Sequence, residues 1–206
     1  IIVLIFGDQL ATEKFHLSFD IGLNYTDVLN ADLSNSRLGL NFGLGTHTKL
    51  SENFSLSANF NALSQQGAKG TINEDAITIP YDKITNNIQL NLLELPIVLE
   101  YNFNNYFIGS GISFNYTSSA LQTSYIENDG NSLELIKDVS EYFKPFAFGL
   151  PFDLGYRLYL KKLPNNPVYL KLRTIYLMQQ TTGLAPIENI DRFVFQFTLA
   201  FAFIKK

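Results

Sequence analysis

The residues that could do chemistry in this chain are few, and their types restrict the chemistry strongly. Among 206 residues there is no cysteine and there are two histidines, His16 and His47. Disulfides, thiol catalysis and cysteine-type zinc sites are therefore excluded, and two histidines fall short of the three or four protein ligands that zinc normally takes. No HExxH-type motif and no phosphate-cradling glycine loop is present. We therefore predict a non-enzyme without cofactor or metal.

The remaining candidates are charged side chains that fall on the polar positions of alternating segments. They are four acids and five bases: Asp20, Glu94, Glu100, Asp153, Arg37, Arg157, Lys171, Arg173 and Arg192. Buried charges must be paired. We expect them to form a structural network that fills an interior, and a narrow ion or proton path is the alternative.

Two strand registers can be proposed from the links between segments. If Leu160 pairs with Val168, two contacts follow: Arg157 opposite Lys171 and Asp153 diagonal to Arg173. The two facing bases would then need an acid from across the interior, with Glu94 and Glu100 as the candidates. If Thr26 pairs with Arg37, His16 pairs with His47, and we expect both to be polar rim residues at one mouth.

The elements that must position these side chains are strands, because the apolar residues recur with a period of two. From Phe15 to Thr26 every second residue is apolar, which is a strong strand signal and longer than an ordinary strand of about 5–6 residues. The pattern recurs near residues 37–45, 54–62, 88–103, 106–116, 146–160, 168–178 and 193–203. This predicts eight antiparallel strands.

The links between the segments alternate in length. The links near 50–53, 104–105 and 161–167 are short, whereas 27–36, 65–87, 117–144 and 179–191 are long and polar. Short links at one end and long links at the other are typical of an up-and-down barrel with both termini at the short-loop end. Within the long links, Leu133 to Val139 is either a short helix or an extension of the sheet, and Ala76 to Tyr81 is a further candidate extension.

The fourth segment changes phase. Ile88, Leu90 and Leu92 are at even positions, but the apolar residues from Leu93 onward are at odd positions. One extra residue in this strand predicts a β-bulge, with Pro96 at or beside it because proline cannot donate to the ladder.

Composition indicates whether the apolar face of the barrel points outward or inward. The chain is 46% hydrophobic and 14% aromatic but 17% charged, with a mean hydropathy of +0.05 and a net charge of −4. Charge is thus below the usual ~25%, and no basic patch supports nucleic-acid binding. The second face carries glycine, serine, asparagine and the charges, which suits the narrow interior of eight strands. This favours a transmembrane β-barrel with its apolar face outward; a soluble lipocalin-like carrier of an apolar ligand, with that face inward, is the alternative.

Three segments resemble a known family. The stretch LNLLELPIVLEYNF from Leu90 to Phe103 resembles the hallmark strand of PorT-like outer-membrane β-barrels of Bacteroidetes-type bacteria. The segments 54–70 and 193–203 are similar to the third and closing strands of those proteins, although Ile204, Lys205 and Lys206 follow the last phenylalanine, where a terminal aromatic residue is usual.

The resemblance implies an eight-stranded outer-membrane barrel with periplasmic termini, and implies no single activity. Its expected surroundings are lipid and lipopolysaccharide, with the barrel-assembly machinery during insertion and an envelope protein as a further partner. We expect a structural or interaction role through long extracellular loops, in an envelope or secretion complex, with a narrow channel as a further alternative. Residues 14–206 are expected to form the barrel, and the apolar start of residues 1–13 is typical of a signal-peptide remnant or tail.

Overall fold

The structure is a computed structural model, and it describes residues 15–28, 36–73, 83–128, 130–160, 163–180 and 189–203. These residues form nine β-strands and one short 3-10 turn, Ser140–Tyr142. The strands are β1 (Phe15–Val28), β2 (Arg37–Lys49), β3 (Phe54–Asn73), β4 (Lys83–Phe103), β5 (Tyr106–Asn128), β6 (Asn131–Asp138), β7 (Phe146–Leu160), β8 (Leu163–Gln180) and β9 (Asn189–Phe203). The expected signal remnant, 1–13, and the candidate extension 76–81 lie outside the described residues.

Eight of the strands close into a ring. The order is β4-β3-β2-β1-β9-β8-β7-β5, and a long antiparallel ladder between β5 and β4 closes it. The predicted eight-stranded antiparallel barrel is therefore confirmed. The ninth strand, β6, contains Leu133 to Asp138 and pairs with β5, so this part of the longest link extends the sheet rather than forming a helix.

The two faces of the ring differ as the alternation predicts. Apolar side chains point outward and are exposed, with Leu38 at 70% and Phe146 at 66%, whereas Asp20 and Glu94 are 2% and 1% exposed. The lipocalin-like alternative, with the apolar face inside, is therefore wrong. No helix among the described residues is long and apolar enough to cross a membrane.

The predicted bulge in β4 is wrong in its position. Even residues of β4 face inward along its whole barrel portion, so Leu90 and Leu92, both nearly fully buried, are inward-facing apolar residues. The register instead shifts in the neighbours: β5 leaves Ser118 unpaired between the Asn91 and Leu92 pairs, and β3 shifts between its pairs with Leu92 and Glu94. Proline cannot donate to a ladder, and Pro96 lies in the gap between the Glu94 and Ile97 pairs of β3 and β4.

Strands β3, β4 and β5 are longer than the others and continue beyond the ring at the long-loop end. They have 20, 21 and 23 residues, against the ~9–11 that a tilted membrane-spanning strand needs. Their upper halves pair with each other and, through β5, with β6. We call this four-stranded part the projecting sheet: residues 65–73, 83–91, 119–128 and 131–138.

Candidate functional site: the barrel interior

The centre of the interior is an ion pair between β7 and β8. Asp153 and Arg173 are direct partners in the ladder, and Nε and Nη2 of Arg173 each donate to a carboxylate oxygen of Asp153 at 2.6 Å. Nζ of Lys171 lies 3.9 Å from Oδ2 of the same carboxylate. All three side chains are buried. Such a bidentate, charge-assisted arrangement is among the stronger polar contacts in proteins.

The register that positions this pair differs from the predicted one. Leu160 pairs with Leu163, and Val168 pairs with Leu158, so the predicted Leu160–Val168 pairing is wrong by two residues. The physical reason is that β8 begins at Leu163, inside the predicted link, and that the ladder shifts register between the Leu160 and Leu158 pairs. The predicted partners therefore change: Lys171 lies opposite Gly155, Arg157 opposite Tyr169, and Asp153 directly opposite Arg173 rather than diagonal to it.

Asparagine links this ion pair to the acid on β1. Asn59 on β3 accepts from Nη2 of Arg173 at 3.3 Å and donates to Oδ2 of Asp20 at 2.5 Å. Ser18 donates to the other oxygen of Asp20 at 2.6 Å. The resulting chain of contacts crosses the interior from β1 through β3 to β7 and β8, so that polar side chains fill the middle of the barrel.

Glu94 is bound by amides. Asn61, Gln66 and Gln196 donate to its carboxylate at 3.0, 2.5 and 2.9 Å. Three of the five bases, Arg37, Arg157 and Arg192, have no acid within ion-pair distance among the described residues. Arg37 instead donates to the carbonyl of Ile88 and to the side chain of Gln89. Arg192 is completely buried, and none of its three side-chain nitrogens has a hydrogen bond to a described residue. The expectation that these charges pair with each other holds for only part of the set.

The histidines stack at the short-loop end. His16 and His47 are partners in the β1–β2 ladder, and Thr26 pairs with Arg37, so this predicted register is confirmed. The two rings lie 5.1 Å apart, and the ring of Tyr169 from β8 stacks 4.6 Å from His47. Nε2 of His16 lies 2.7 Å from the hydroxyl of Tyr169, and Nδ1 of His47 lies 3.7 Å from the Glu100 carboxylate.

Arg157 completes this end of the interior. Its guanidinium lies 5.7 Å from the ring centres of both Phe107 and Tyr169, and it donates to Asn102. The predicted contact of Arg157 with an acid, Glu94 or Glu100, is not among the ion pairs of the described residues. Gly155 leaves the space that the Phe107 ring occupies, since a Cβ there would lie 2.0 Å from that ring.

A cluster of apolar side chains packs inside the barrel at its long-loop end. The segment between β6 and β7 crosses inward, where Val139 and Phe143 are buried against Leu90, Leu92 and Ala120. Its backbone is attached to β5, because Val139 donates to the carbonyl of Ala120 at 2.9 Å. We call these five residues the apolar plug. The polar middle and the apolar plug are thus two packed layers of side chains within the interior.

Sequence reasoning missed the neutral members of the interior. Asn59, Asn61, Gln66 and Gln196 hold the acids, and Phe107 and Tyr169 surround Arg157. Their inward position within each strand is the available signal, but the alternation of polar and apolar residues does not show which amide or aromatic ring contacts which charge. No group of three or more histidine, aspartate or glutamate side chains suited to a metal occurs within the described ranges.

A closed ring of eight antiparallel strands, with apolar residues outside and charges inside, is the architecture of an outer-membrane β-barrel. The chain belongs to the outer membrane protein beta-barrel domain family, whose model matches residues 8–174. It is therefore a protein of the cell outer membrane, surrounded by lipid and lipopolysaccharide.

Solved outer-membrane barrels resemble the chain in fold at very low sequence identity. Ail, the attachment invasion locus protein of Yersinia pestis, is 11% identical, with 92% of this chain and 99% of that chain covered and a TM-score of 0.44. Neisserial surface protein A is 9% identical, with 92% and 97% covered and a TM-score of 0.46. OprG from Pseudomonas aeruginosa is 9% identical, with 95% and 99% covered and a TM-score of 0.45. No curated protein matches the chain.

Proposed function

We propose that this protein is a closed, non-enzymatic outer-membrane barrel that works by binding a protein partner through its projecting sheet. The observation that carries the proposal is β6. All eight of its residues are exposed, including Leu133, Leu135 and Ile136 at 55%, 49% and 68%. Within the described residues β6 pairs with β5 alone, so its other side presents backbone donors and acceptors.

An exposed strand edge with apolar side chains suits recognition by strand addition. Main-chain hydrogen bonds supply affinity in that mode, and alternate side chains supply specificity. Proteins normally protect such edges with charged residues, and β6 carries Glu134, Lys137 and Asp138 together with large apolar residues on both of its faces. An extended segment of an envelope protein fits this edge, and a PorT-like role in an envelope or secretion complex is one setting for it.

Site-specific photo-crosslinking tests the proposed edge. A photoreactive residue at Leu133 should give a discrete adduct with an envelope protein in intact cells, and the same residue at Leu50, which is 57% exposed at the short-loop end, should not. The edge-blocking change Leu135→Lys should remove the Leu133 adduct, because a lysine on an edge strand opposes pairing. Equal labelling at both positions, or an adduct unchanged by Leu135→Lys, would count against the proposal.

The closed interior favours this role over the narrow channel. Two layers, the polar middle and the apolar plug, lie in series along the barrel axis, and an eight-stranded barrel leaves room only for packed side chains. Liposomes that contain the purified protein should therefore show no small-solute swelling above protein-free liposomes. Clear flux would support the channel instead.

A further inference from the structure

A cavity of 210 Å³ opens at the short-loop end of the barrel, opposite to the projecting sheet. Its walls include His16, His47, Lys49, Glu52 and Arg157. The charged side chains of the lining are two bases, Lys49 and Arg157, and one acid, Glu52, and the buried Glu100 carboxylate lies behind His47. Its position is far from β6, and the inference drawn from it is independent of the proposed partner binding.

Arg157 is held ready for a ligand in this cavity. The rings of Phe107 and Tyr169 flank its guanidinium at 5.7 Å, and Asn102 accepts a hydrogen bond from Nη2. Among the described residues, no aspartate or glutamate lies within salt-bridge distance of Arg157. A planar guanidinium with several donors in a fixed orientation is suited to oxyanions.

Three buried nitrogens at the cavity wall have no hydrogen bond to any described residue. They are Nδ1 of His16, Nε2 of His47 and Nε of Arg157, and the His47 side chain is only 3% exposed. Buried polar atoms are nearly always hydrogen-bonded, and each exception calls for an explanation. The arginine nitrogen can only donate, whereas an imidazole nitrogen without a proton accepts. A ligand that satisfies these nitrogens must therefore accept a hydrogen bond from Arg157 and donate one to a histidine nitrogen.

We propose that the cavity binds a phosphate group that retains a P–OH, either inorganic phosphate or a phosphomonoester. Its charged oxygens accept from Arg157 and Lys49, and its hydroxyl donates to a histidine nitrogen. Sulfate is similar in shape and charge but carries no proton at neutral pH, and a phosphodiester has none either. Selectivity for hydrogen phosphate over sulfate is thus the signature of this site.

A titration in maltoside micelles, which contain no phosphate, tests the site directly. Inorganic phosphate at pH 7 should move the NMR signals of the two histidine rings in a saturable way, and sulfate at equal ionic strength should bind about tenfold more weakly, the loss of one hydrogen bond. His47→Gln should bring the two anions to within about twofold of each other. No saturable shift with phosphate, or equal affinity for phosphate and sulfate, would overturn the proposal.

Arginine variants separate a built site from general electrostatic attraction. Arg157→Gln should weaken phosphate binding by about tenfold, the loss of a charge-assisted contact, and Arg157→Lys by less. Arg37→Gln is the matched control, because Arg37 is also half-buried but lies at the long-loop end; it should leave the affinity within about twofold. Heat-modifiable gel migration checks that every variant is folded. Affinity that is equal in Arg157→Gln and Arg37→Gln would refute the assignment.

The source of the phosphate is resolved in vesicles. Phosphatidic acid carries a phosphomonoester at the membrane surface, and phosphatidylglycerol carries a phosphodiester. If phosphatidic acid lowers the apparent affinity for inorganic phosphate and phosphatidylglycerol does not, the site takes a lipid headgroup. If neither lipid competes and phosphate still binds, the ligand is free phosphate, and the site stands in both cases.

Discussion

Asp153 is the acid whose loss should damage the barrel most. It accepts two hydrogen bonds of 2.6 Å from Arg173 and lies 3.9 Å from Nζ of Lys171, and its side chain is fully buried. Asp153→Asn keeps the shape but leaves two buried cations without their carboxylate. Breaking a buried ion pair costs about 3–5 kcal/mol. Because Asn59 still accepts from both cations, we expect a value near the lower end, about 3 kcal/mol.

Substitution of the partner, Arg173, should lower the free energy of unfolding by less than Asp153→Asn does. Arg173→Gln removes one of the two bases, and Lys171 remains within 3.9 Å to neutralise Asp153. An exposed ion pair supplies the control: Lys83 and Glu127 lie 3.9 Å apart with side chains 44% and 54% exposed, so Lys83→Gln should change stability by no more than about 0.5 kcal/mol.

Urea unfolding in lipid vesicles measures these differences. The chain has no tryptophan, so the folded fraction is followed by far-UV circular dichroism and by the gel migration of unboiled samples. The reasoning is refuted if Asp153→Asn costs less than about 1 kcal/mol, or if Arg173→Gln costs more than Asp153→Asn. The double variant should cost less than the sum of the two single changes, as expected for residues in direct contact.

Three further predictions concern the plug, the glycines and the projecting sheet. Phe143→Ala should destabilise the barrel by about 3 kcal/mol, because it removes the largest side chain of the apolar plug and leaves a cavity. The same urea assay measures this loss. Gly155→Ala should lower the free energy of unfolding by about 1–3 kcal/mol, because the new methyl group overpacks against Phe107, and Phe107→Leu should relieve this overpacking. Gly130→Ala is the comparison: there is open space around Gly130, and its only strain is a positive φ of 76°. It should therefore cost about 1 kcal/mol. The pKa of Asp138 lies below its ordinary value because Ser140 donates to its carboxylate. The stability that this hydrogen bond contributes is present at neutral pH and is lost as pH falls through the lowered pKa. Amide exchange at Ser140, corrected for its intrinsic pH dependence, should therefore accelerate in acid. Asp138→Asn should abolish this pH dependence.

Alternation was sufficient to predict the ring and its faces, because the side-chain period of a strand is two and a one-residue slip would reverse every side chain. The same property explains the error at Leu160. Moving β8 by two residues keeps Asp153, Lys171 and Arg173 on the inner face but changes every partner. Parity therefore predicts which residues are inside, and hairpin length, which the sequence signals weakly, decides which of them touch.

The misplaced bulge has a different origin, and it shows where a period of two stops being informative. Leu90 and Leu92 are apolar, and in a membrane barrel an apolar residue is expected outside, so their even positions suggested an extra residue in β4. They face inward because Val139 and Phe143, some fifty positions later in the chain, pack against them and shield them from water. An inward apolar residue near a mouth is stable only with such a cover. A phase change beside a long link therefore has two explanations, a bulge or a plug supplied by the loop, and here the plug accounts for the apolar residues while the bulges lie in β3 and β5.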